Sequence, residues 1–559
     1  MNRPLLTPFG ALFAAAMAPA PGSSSGQDLF TAASYLWVSA GPGFDPIIRT
    51  YRLADLDGDG YAEYAIHGGT NTGNPAPGWL RIMEGRSGQI RQEWVGMPQQ
   101  TAGCPFVFNE GELYGRYGAA LDLNGDGVRQ EVVAGAWQAI SCTPVLHGGR
   151  AEVRSFPQGI PLTVLAPTDG SGGNFGVPVE NVGDLDGDGA EEVLIGAPCW
   201  NGCTGKVRIL SGIGLTELYS YTGWHSNQLF GNIAAGGGDV DGDGFPDFIV
   251  GAQYTYYPPT AAYNAGAARV YSGLTGSMIR EHFATTANVW RGQSVQILGD
   301  TDGDGHAEYV VVDSYCCTTP LPATGSTIRF HSGATGAVLF SVNGLGGMWD
   351  IDRLEDATGD GIPDLLVATT GTESGPWAGT NWLTVLSGAD ATVAYQATTV
   401  FTGVNPMYPA VLGDVNGDGK EDIGTTVPTV TGPYVGQFRA FTWTNLRVTG
   451  NLAPGGSAVF EVNTPSRANR PFRLALSTGT NGFMLGPFFV PVTPDALFFD
   501  SAAALAGTLG PTGAATLTVP IPPIPALSGV TVYATGATLE PGQAVPIGVV
   551  LNRVQVLIQ

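Results

Sequence analysis

The chain has 559 residues, of which 83 are Gly and 40 Pro, with only 13% charged and a formal net charge of −24. So much turn chemistry with so little charge suits many short strands joined by tight turns, and it excludes a mainly helical protein. The acidity excludes binding to a phosphate backbone, which needs a basic surface, so no nucleic-acid partner is expected.

Residues 1–20 read as an export signal. Asn2-Arg3 is a short positive start, Leu5 to Ala18 is mostly apolar, and Ala16-Met17-Ala18 or Ala18-Pro19-Ala20 offers a small-residue cleavage pattern. No other stretch is long and apolar enough to cross a membrane as a helix, so no membrane insertion is expected. Six cysteines, an even count, fit an oxidising compartment. The expected location is therefore secreted or at the cell surface. Residues 21–33 form a small, polar linker, and Ser34 to Ser39 is a short strand.

From 34 to 445 one unit is written seven times, and each copy carries an acidic loop. The loops begin at Asp55, Asp122, Asp184, Asp239, Asp300, Asp356 and Asp414, spaced 55 to 67 residues apart. In the third, Asp184, Asp186, Asp188 and Glu192 stand at positions 1, 3, 5 and 9. Gly187 and Gly189 let the backbone curl so that the Ala190 carbonyl at position 7 joins them. That donor set suits a hard cation, Ca²⁺ above all.

The first loop supplies Asp55, Asp57, Asp59, the Tyr61 carbonyl and Glu63. The fourth supplies Asp239, Asp241, Asp243, the Phe245 carbonyl and Asp247, and the fifth Asp300, Asp302, Asp304, the His306 carbonyl and Glu308. The second, with Asp122, Asn124, Asp126 and the Val128 carbonyl, has one extra residue, so either Gln130 or a bulged Glu131 must close it. The sixth has Asp356, Thr358, Asp360, the Ile362 carbonyl and Asp364, and the seventh Asp414, Asn416, Asp418, the Lys420 carbonyl and Asp422. Up to seven Ca²⁺ are expected, with the second and sixth sites weakest. An EF-hand needs Glu at position 12 and an exiting helix; position 12 here is Ile66, Val133, Ile195, Val250, Val311, Val367 or Thr425 inside β-rich runs, which excludes it. The competing reading is a set of metal-free Asx-rich turns.

Each unit predicts four strands. In the third, one runs from Phe175-Gly176 to the loop, and Val193 to Ala197, Lys206 to Ser211 and Leu215 to Tyr221 follow. Third strands end in Ser-Gly turns at Ser211, Ser272, Ser332 and Ser387. Seven such units predict an all-β, seven-bladed β-propeller, because the turns of a parallel β-helix are far shorter. The seventh unit offers Tyr434 to Thr442 as its third strand and no good fourth. Ser34 to Ser39 is expected to complete it and close the ring without an open edge. From 446 to 559 the period stops and five strands with period-2 patterning predict a small C-terminal β-sandwich.

Phe175-Gly176 and Phe230-Gly231, the D-x-D-G-D-G loops, and Ile195-Gly196-Ala197-Pro198 resemble the FG-GAP repeats of the integrin α-subunit head and of many bacterial secreted proteins. The resemblance covers roughly 34 to 444. It departs at Arg291-Gly292 and in the first, sixth and seventh units, which lack Phe-Gly. It implies a seven-bladed propeller with Ca²⁺ in its hairpin loops and a role in adhesion or recognition.

In a four-stranded meander the first and third turns share one end of the blade, so the metal loops share one face. The second turns carry Trp79, Trp137, Trp200, Tyr254, Tyr256, Tyr257, Tyr263, Tyr315, Trp377 and Tyr434. Aromatics on loops of a rigid scaffold suit recognition of an extracellular glycan or protein ligand by a monomer. Cys199 with Cys203 and Cys104 with Cys142 are expected pairs, leaving Cys316-Cys317, one of 15 possible connectivities. The six histidines are scattered, and neither H-E-x-x-H nor G-x-S-x-G occurs, so no catalysis is expected. The competing readings are a polysaccharide lyase or hydrolase on a calcium-rich propeller and a structural surface scaffold.

Overall fold

The computed structural model describes residues 34–558 except 41–46, 69–77, 86, 96–113, 137–139, 143–144, 168–172, 315–325, 344–346, 359, 371–379, 401–408, 416–420, 429–435, 443–445, 464–468, 480–482, 486–487, 491, 512–513, 540–546 and 551–553. The export signal and linker, Trp137, Tyr315, Trp377, Tyr434, Cys104, Cys316, Cys317, Asn416, Asp418 and Lys420 lie outside the described residues.

The described residues of 34–442 include seven four-stranded antiparallel sheets, here called blades one to seven. Blade three is typical, with Val179–Gly183, Glu192–Ala197, Lys206–Leu210 and Glu217–Thr222 in chain order. The first strands of the blades are Ile47–Arg52, Tyr114–Leu121, Val179–Gly183, Ala234–Gly238, Arg291–Gly299, Gly347–Leu354 and Pro409–Gly413. Each lies beside the first strand of the next blade, and the last lies beside the first, so the sheets close into a ring. This is the architecture of a β-propeller.

Blade seven takes its outer strand from the start of the chain. Ser34–Ala40 pairs with Gly436–Thr442 from Ser34 opposite Thr442 to Ala40 opposite Gln437. The expected closure is what the sheet order shows. The edge that the seventh unit leaves open is thereby covered.

Sequence and burial agree strand by strand. The second strands are runs of Val, Ile, Leu and Ala and are buried throughout, as in Glu192–Ala197 and Asp247–Ala252. The outer strand Glu217–Thr222, by contrast, alternates and is largely exposed. Facing blades share their cores: Val182, Leu194 and Val207 of blade three pack with Phe248 and Val250 of blade four. Burial of this kind contributes about 25 cal/mol per Å² of apolar surface. The first strands leave a central cavity of about 840 Å³, lined in part by Thr50, Gly118, Asn181, Gly236, Gln296 and Val411.

Among the described residues the C-terminal segment builds a short hairpin, Phe483–Leu485 with Phe488–Val490, and two larger sheets. One is Leu446–Asn451, Ser457–Asn463 and Ala514–Pro520; the other runs Ala506–Thr508, Pro471–Ser477, Thr531–Leu539 and Ile547–Val550, with Val554–Leu557 also on Thr531–Leu539. One buried cluster draws Val462 and Phe460 from the first sheet and Phe472, Leu474 and Ala534 from the second. A helix, Ala496–Ala504, was not expected from the sequence. Asp495 caps it, its Oδ1 accepting the Phe498 N–H at 2.8 Å. Its apolar stretch Ala496-Leu-Phe-Phe499 hides the helical period, while the Asp cap and the alanine run were the available signals. A short hairpin, Ile140–Cys142 with Val145–His147, sits in the second turn of blade two and was likewise unforeseen.

Candidate metal loops and the opposite face

Every described loop is built by carboxylates accepting from its own backbone. In the first, Asp55 Oδ1 accepts from Gly58 N–H at 2.8 Å and Oδ2 from Gly60 N–H at 2.9 Å, while Asp59 Oδ1 accepts from Tyr61 N–H at 3.0 Å. The third and fourth repeat these contacts through Asp184 and Asp188 and through Asp239 and Asp243. Gly58 and Gly60 have φ of +75° and +90°, a conformation that favours glycine and wraps the loop around its centre.

The acid at position 9 is the buried member. Glu63, Glu192, Asp247, Asp364 and Asp422 are fully buried, and one oxygen of Glu63, Glu192, Asp247 and Asp422 accepts the position-2 N–H, at 2.7, 2.6, 2.6 and 3.1 Å. The other oxygen reaches the third turn of the blade. Gly212 N–H donates to Glu192 at 3.1 Å, Gly273 N–H to Asp247 at 2.9 Å and Gly388 N–H to Asp364 at 3.0 Å. This explains the recurring Ser-Gly turns, whose glycine N–H meets that carboxylate, and it puts the first and third turns at one end of the blade.

The second loop resolves its alternatives in favour of Glu131. Its Oε2 accepts from Leu123 N–H at 3.2 Å, and the extra residue is absorbed by a turn from Gln130 N–H to the Val128 carbonyl at 2.9 Å. In the sixth, Asp364 accepts instead from Thr358 N–H at 2.7 Å.

Neighbouring loops are also tied to each other, which motif spacing did not reveal. The position-8 N–H donates to the position-1 carbonyl of the preceding loop: Glu191 to Asp122 at 2.7 Å, Ala307 to Asp239 at 2.6 Å, and Ala62 to Asp414 at 3.0 Å. The last of these crosses the closure between blades one and seven. In blades four and six position 8 is Pro246 or Pro363, which has no N–H to give. Pro246 packs instead against Gly183, where a Cβ would lie 2.8 Å from the proline ring.

Three acidic ligand atoms lie within 4.8 Å of one another in four loops: Asp55, Asp57 and Glu63; Asp184, Asp186 and Glu192; Asp239, Asp241 and Asp247; Asp300, Asp302 and Asp304. Burial pushes Glu63 up to about 7, and the Asp57, Asp55 and Asp59 carboxylates add to the rise. Glu192 and Asp247 are raised to about 7 and Asp364 to about 8, again mainly by burial. Glu63 Oε1 is buried and has no hydrogen-bond partner among the described residues. An oxygen-only donor set with a buried, unpartnered carboxylate oxygen fits a hard divalent cation.

On the opposite face the predicted aromatics divide. Trp79 is not a surface residue: it opens the third strand of blade one, is buried, and stacks with Arg81 at 4.2 Å. Trp200 is half-buried against the core of blades two and three. Tyr254, Tyr256 and Tyr257 are half-buried, and Tyr263 is 69% exposed. Cys199 and Cys203 face each other with Sγ atoms 2.7 Å apart, and burial pushes the Cys199 thiol up to about 12.

A cluster that sequence reasoning missed joins blades four and five. His282 Nε2 lies 2.7 Å from the Tyr309 hydroxyl, and its ring centroid is 4.2 Å from that of His331. The three residues are 27 and 22 positions apart, so only the fold unites them. Among the described residues no helix is long and apolar enough to cross a membrane.

The family profile of the FG-GAP repeat matches residues 230–271, from Phe230-Gly231 through the third strand of blade four. Integrin alpha-PS2 of Drosophila melanogaster is 30% identical over 141 residues, 24% of this chain and 10% of that protein. Integrin alpha-5 of Xenopus laevis is 31% identical over 202 residues, 33% and 18% of the two chains. The chain carries an FG-GAP repeat and is similar over part of its length to integrin α chains. Integrin alpha-IIb of Homo sapiens is 31% identical over 154 residues, 25% of this FG-GAP chain and 14% of its own. The FG-GAP protein thus spans between a tenth and a fifth of the length of these relatives.

Proposed function

We propose that this FG-GAP protein is an extracellular, calcium-stabilised recognition module without catalytic activity, which binds a glycan or protein ligand as a monomer. Residues 34–445 are the seven-bladed propeller and 446–559 a separate β-sandwich module, preceded by an export signal at 1–20 and a linker at 21–33. In the oxidising space outside the cell Cys199 and Cys203 form a disulfide across the second turn of blade three.

The observation that carries this reading is the convergence of acidic ligand atoms in the loops around Glu63, Glu192, Asp247 and Asp304, all at one end of the ring. Position-1, -3 and -5 side chains, the position-7 carbonyl and the position-9 acid would hold Ca²⁺ there. The ion would supply charge neutralisation to carboxylates that burial and mutual repulsion otherwise push towards protonation. Its contribution is structural, since it locks the metal end of each blade and holds the opposite turns in fixed relation. The integrin names of the relatives support adhesion as the role, with the aromatic second turns as the contacting face.

Calcium titration followed by thermal melting tests the metal part. The melting temperature should rise with Ca²⁺ and fall with a chelator, because an ion bound only to the folded state stabilises it by mass action. An unchanged melting curve across the titration would refute it. For the recognition part, capture of soluble protein on immobilised matrix glycans and glycoproteins should be lost on substitutions in the second turns and retained on substitutions of exposed metal-end residues.

A further inference from the structure

Blade one departs from its neighbours at two positions that border the first loop. Its third turn is closed by Glu84 N–H on the Gln89 carbonyl at 2.8 Å, and that of blade four by Ser272 N–H on the Ser277 carbonyl at 2.9 Å. The same bond starts from Ser155, Ser211, Ser332 and Ser387 in blades two, three, five and six. Glu84 therefore stands where these blades place serine. Arg91, two residues past the turn, stands where they place Leu162, Leu218, Ile279, Leu339 or Ala394. In blade four Ser272 Oγ lies 3.5 Å from Asp243 Oδ2, a position-5 ligand, so this turn faces the loop.

Both departures carry charge, and the two meet at the loop. Arg91 Nη2 lies 2.5 Å from Asp57 Oδ2 and Nη1 3.5 Å from Glu84 Oε1. The guanidinium also sits 5.7 Å from the centre of the buried Phe156 ring of blade two. Asp57 is the position-3 ligand, and its Oδ1 already accepts Asp59 N–H at 3.1 Å. Asp186, Asp241 and Asp302 use Oδ1 in the same way, at 3.2, 3.3 and 3.2 Å. Oδ2 is thus the oxygen that Asp57 can turn to a cation, and in blade one Arg91 holds it. In blades three to five Arg208, Arg269 and Arg291 pair instead with Glu217, Glu281 and Asp313, none of them a loop ligand.

We infer that Arg91 is an internal cation that competes with Ca²⁺ for Asp57. It makes the first loop a weaker, more exchangeable site than the third and fourth, although all three carry four carboxylates, and it helps to hold that loop formed when the metal is absent. The inference rests on the calcium reading proposed above and names a residue that grades it. A single guanidinium offsets part of the repulsion among Asp55, Asp57, Asp59 and Glu63, and a divalent ion offsets more, so the ion wins at a higher concentration than it would need without the rival. With 33% of the Arg91 side chain and 14% of the Asp57 side chain exposed, the pair is only partly screened. Displacing it should weaken calcium binding by about fivefold. Glu84 remains as a carboxylate for the displaced guanidinium.

The test follows hydrogen exchange of segments 55–63, 184–192 and 239–247 in the full chain across a titration of free Ca²⁺, which reads each loop separately. In the unmodified protein 55–63 should gain protection at about fivefold higher Ca²⁺ than the other two. Arg91→Leu, which copies blades two, three and five, should lower the midpoint of 55–63 by about fivefold, leave the other midpoints in place, and speed exchange of 55–63 in chelator. Arg91→Gln, which keeps a long polar side chain, should do the same, and Arg91→Lys should stay within about twofold of the unmodified protein. Coincident midpoints that neither Arg91→Leu nor Arg91→Gln moves overturn the competing role and leave the calcium reading standing. A raised midpoint at 55–63 in both neutral variants makes Arg91 a support of the site and also overturns it. Protection that ignores Ca²⁺ in all three segments overturns the calcium reading and this inference with it.

Discussion

Asp247 offers the sharpest test of what the position-9 acid does. Its Oδ2 accepts from Val240 N–H at 2.6 Å and Asp241 N–H at 3.1 Å, and its Oδ1 from Gly273 N–H at 2.9 Å. The residue is fully buried, so Asp247→Ala leaves these backbone donors short of a partner. At about 1–3 kcal/mol for each donor left unsatisfied, partly relieved as water enters the vacated space, the local loss should be about 3–4 kcal/mol. Hydrogen exchange at Val240 and Gly273, measured in chelator so that no metal contributes, should then accelerate by at least about a hundredfold. Asp247→Asn keeps one acceptor and should cost about half as much. Asp241→Ala is the control, because Asp241 Oδ1 accepts from Asp243 N–H at a long 3.3 Å and the residue is partly exposed; it should weaken calcium binding while changing exchange in chelator little. Equal and small effects of Asp247→Ala and Asp241→Ala in chelator would refute the stapling role and leave position 9 as a metal ligand only.

Other outcomes follow from the ring and its seams. Burial, then His331 and Arg291, hold His282 down at about 3, so between pH 6.5 and 3 the unfolded chain binds more protons than the folded one and stability falls as pH falls. The loss should reach at most about 2 kcal/mol at pH 5, discounted for the partial exposure of His282, and His282→Gln should flatten the pH dependence of urea midpoints; an unaltered profile would count against it. Gly413 has φ of +81° and a Cβ there would lie 2.6 Å from the Ala62 Cβ, so Gly413→Ala should cost about 2–3 kcal/mol. Faster exchange at Ala62, whose N–H crosses the ring closure, would locate the damage, and protection equal to wild type would contradict it. Deleting 34–40 strips the outer strand from Gly436–Thr442 and exposes a sheet edge; light scattering should show concentration-dependent association, and a stable monomer would oppose the edge argument.

The sequence alone determined the repeat and its chemistry. Carboxylates at fixed spacing, glycines at positions 4 and 6 and a β-rich run at position 12 are local facts, because the loop hydrogen-bonds mainly to itself and to the strand that follows. Strand number, the closing role of Ser34–Ala40 and the shared end of the first and third turns were also legible, since an odd strand at the start and a missing strand at the end leave one economical pairing. The tertiary structure decided what depends on contacts across blades. It buried Trp79, which a loop position had suggested was available for recognition, and it joined His282 to Tyr309 and His331. It tied Ala62 to Asp414 around the whole ring and brought Tyr254 against both Gln228 and Trp290. These groups are separated by up to several hundred residues and carry no shared spacing, so only the packing of curved sheets against one another brings them within reach. The helix Ala496–Ala504 belongs with them: its cap was written in the chain, but its place was set by the sheet it packs on.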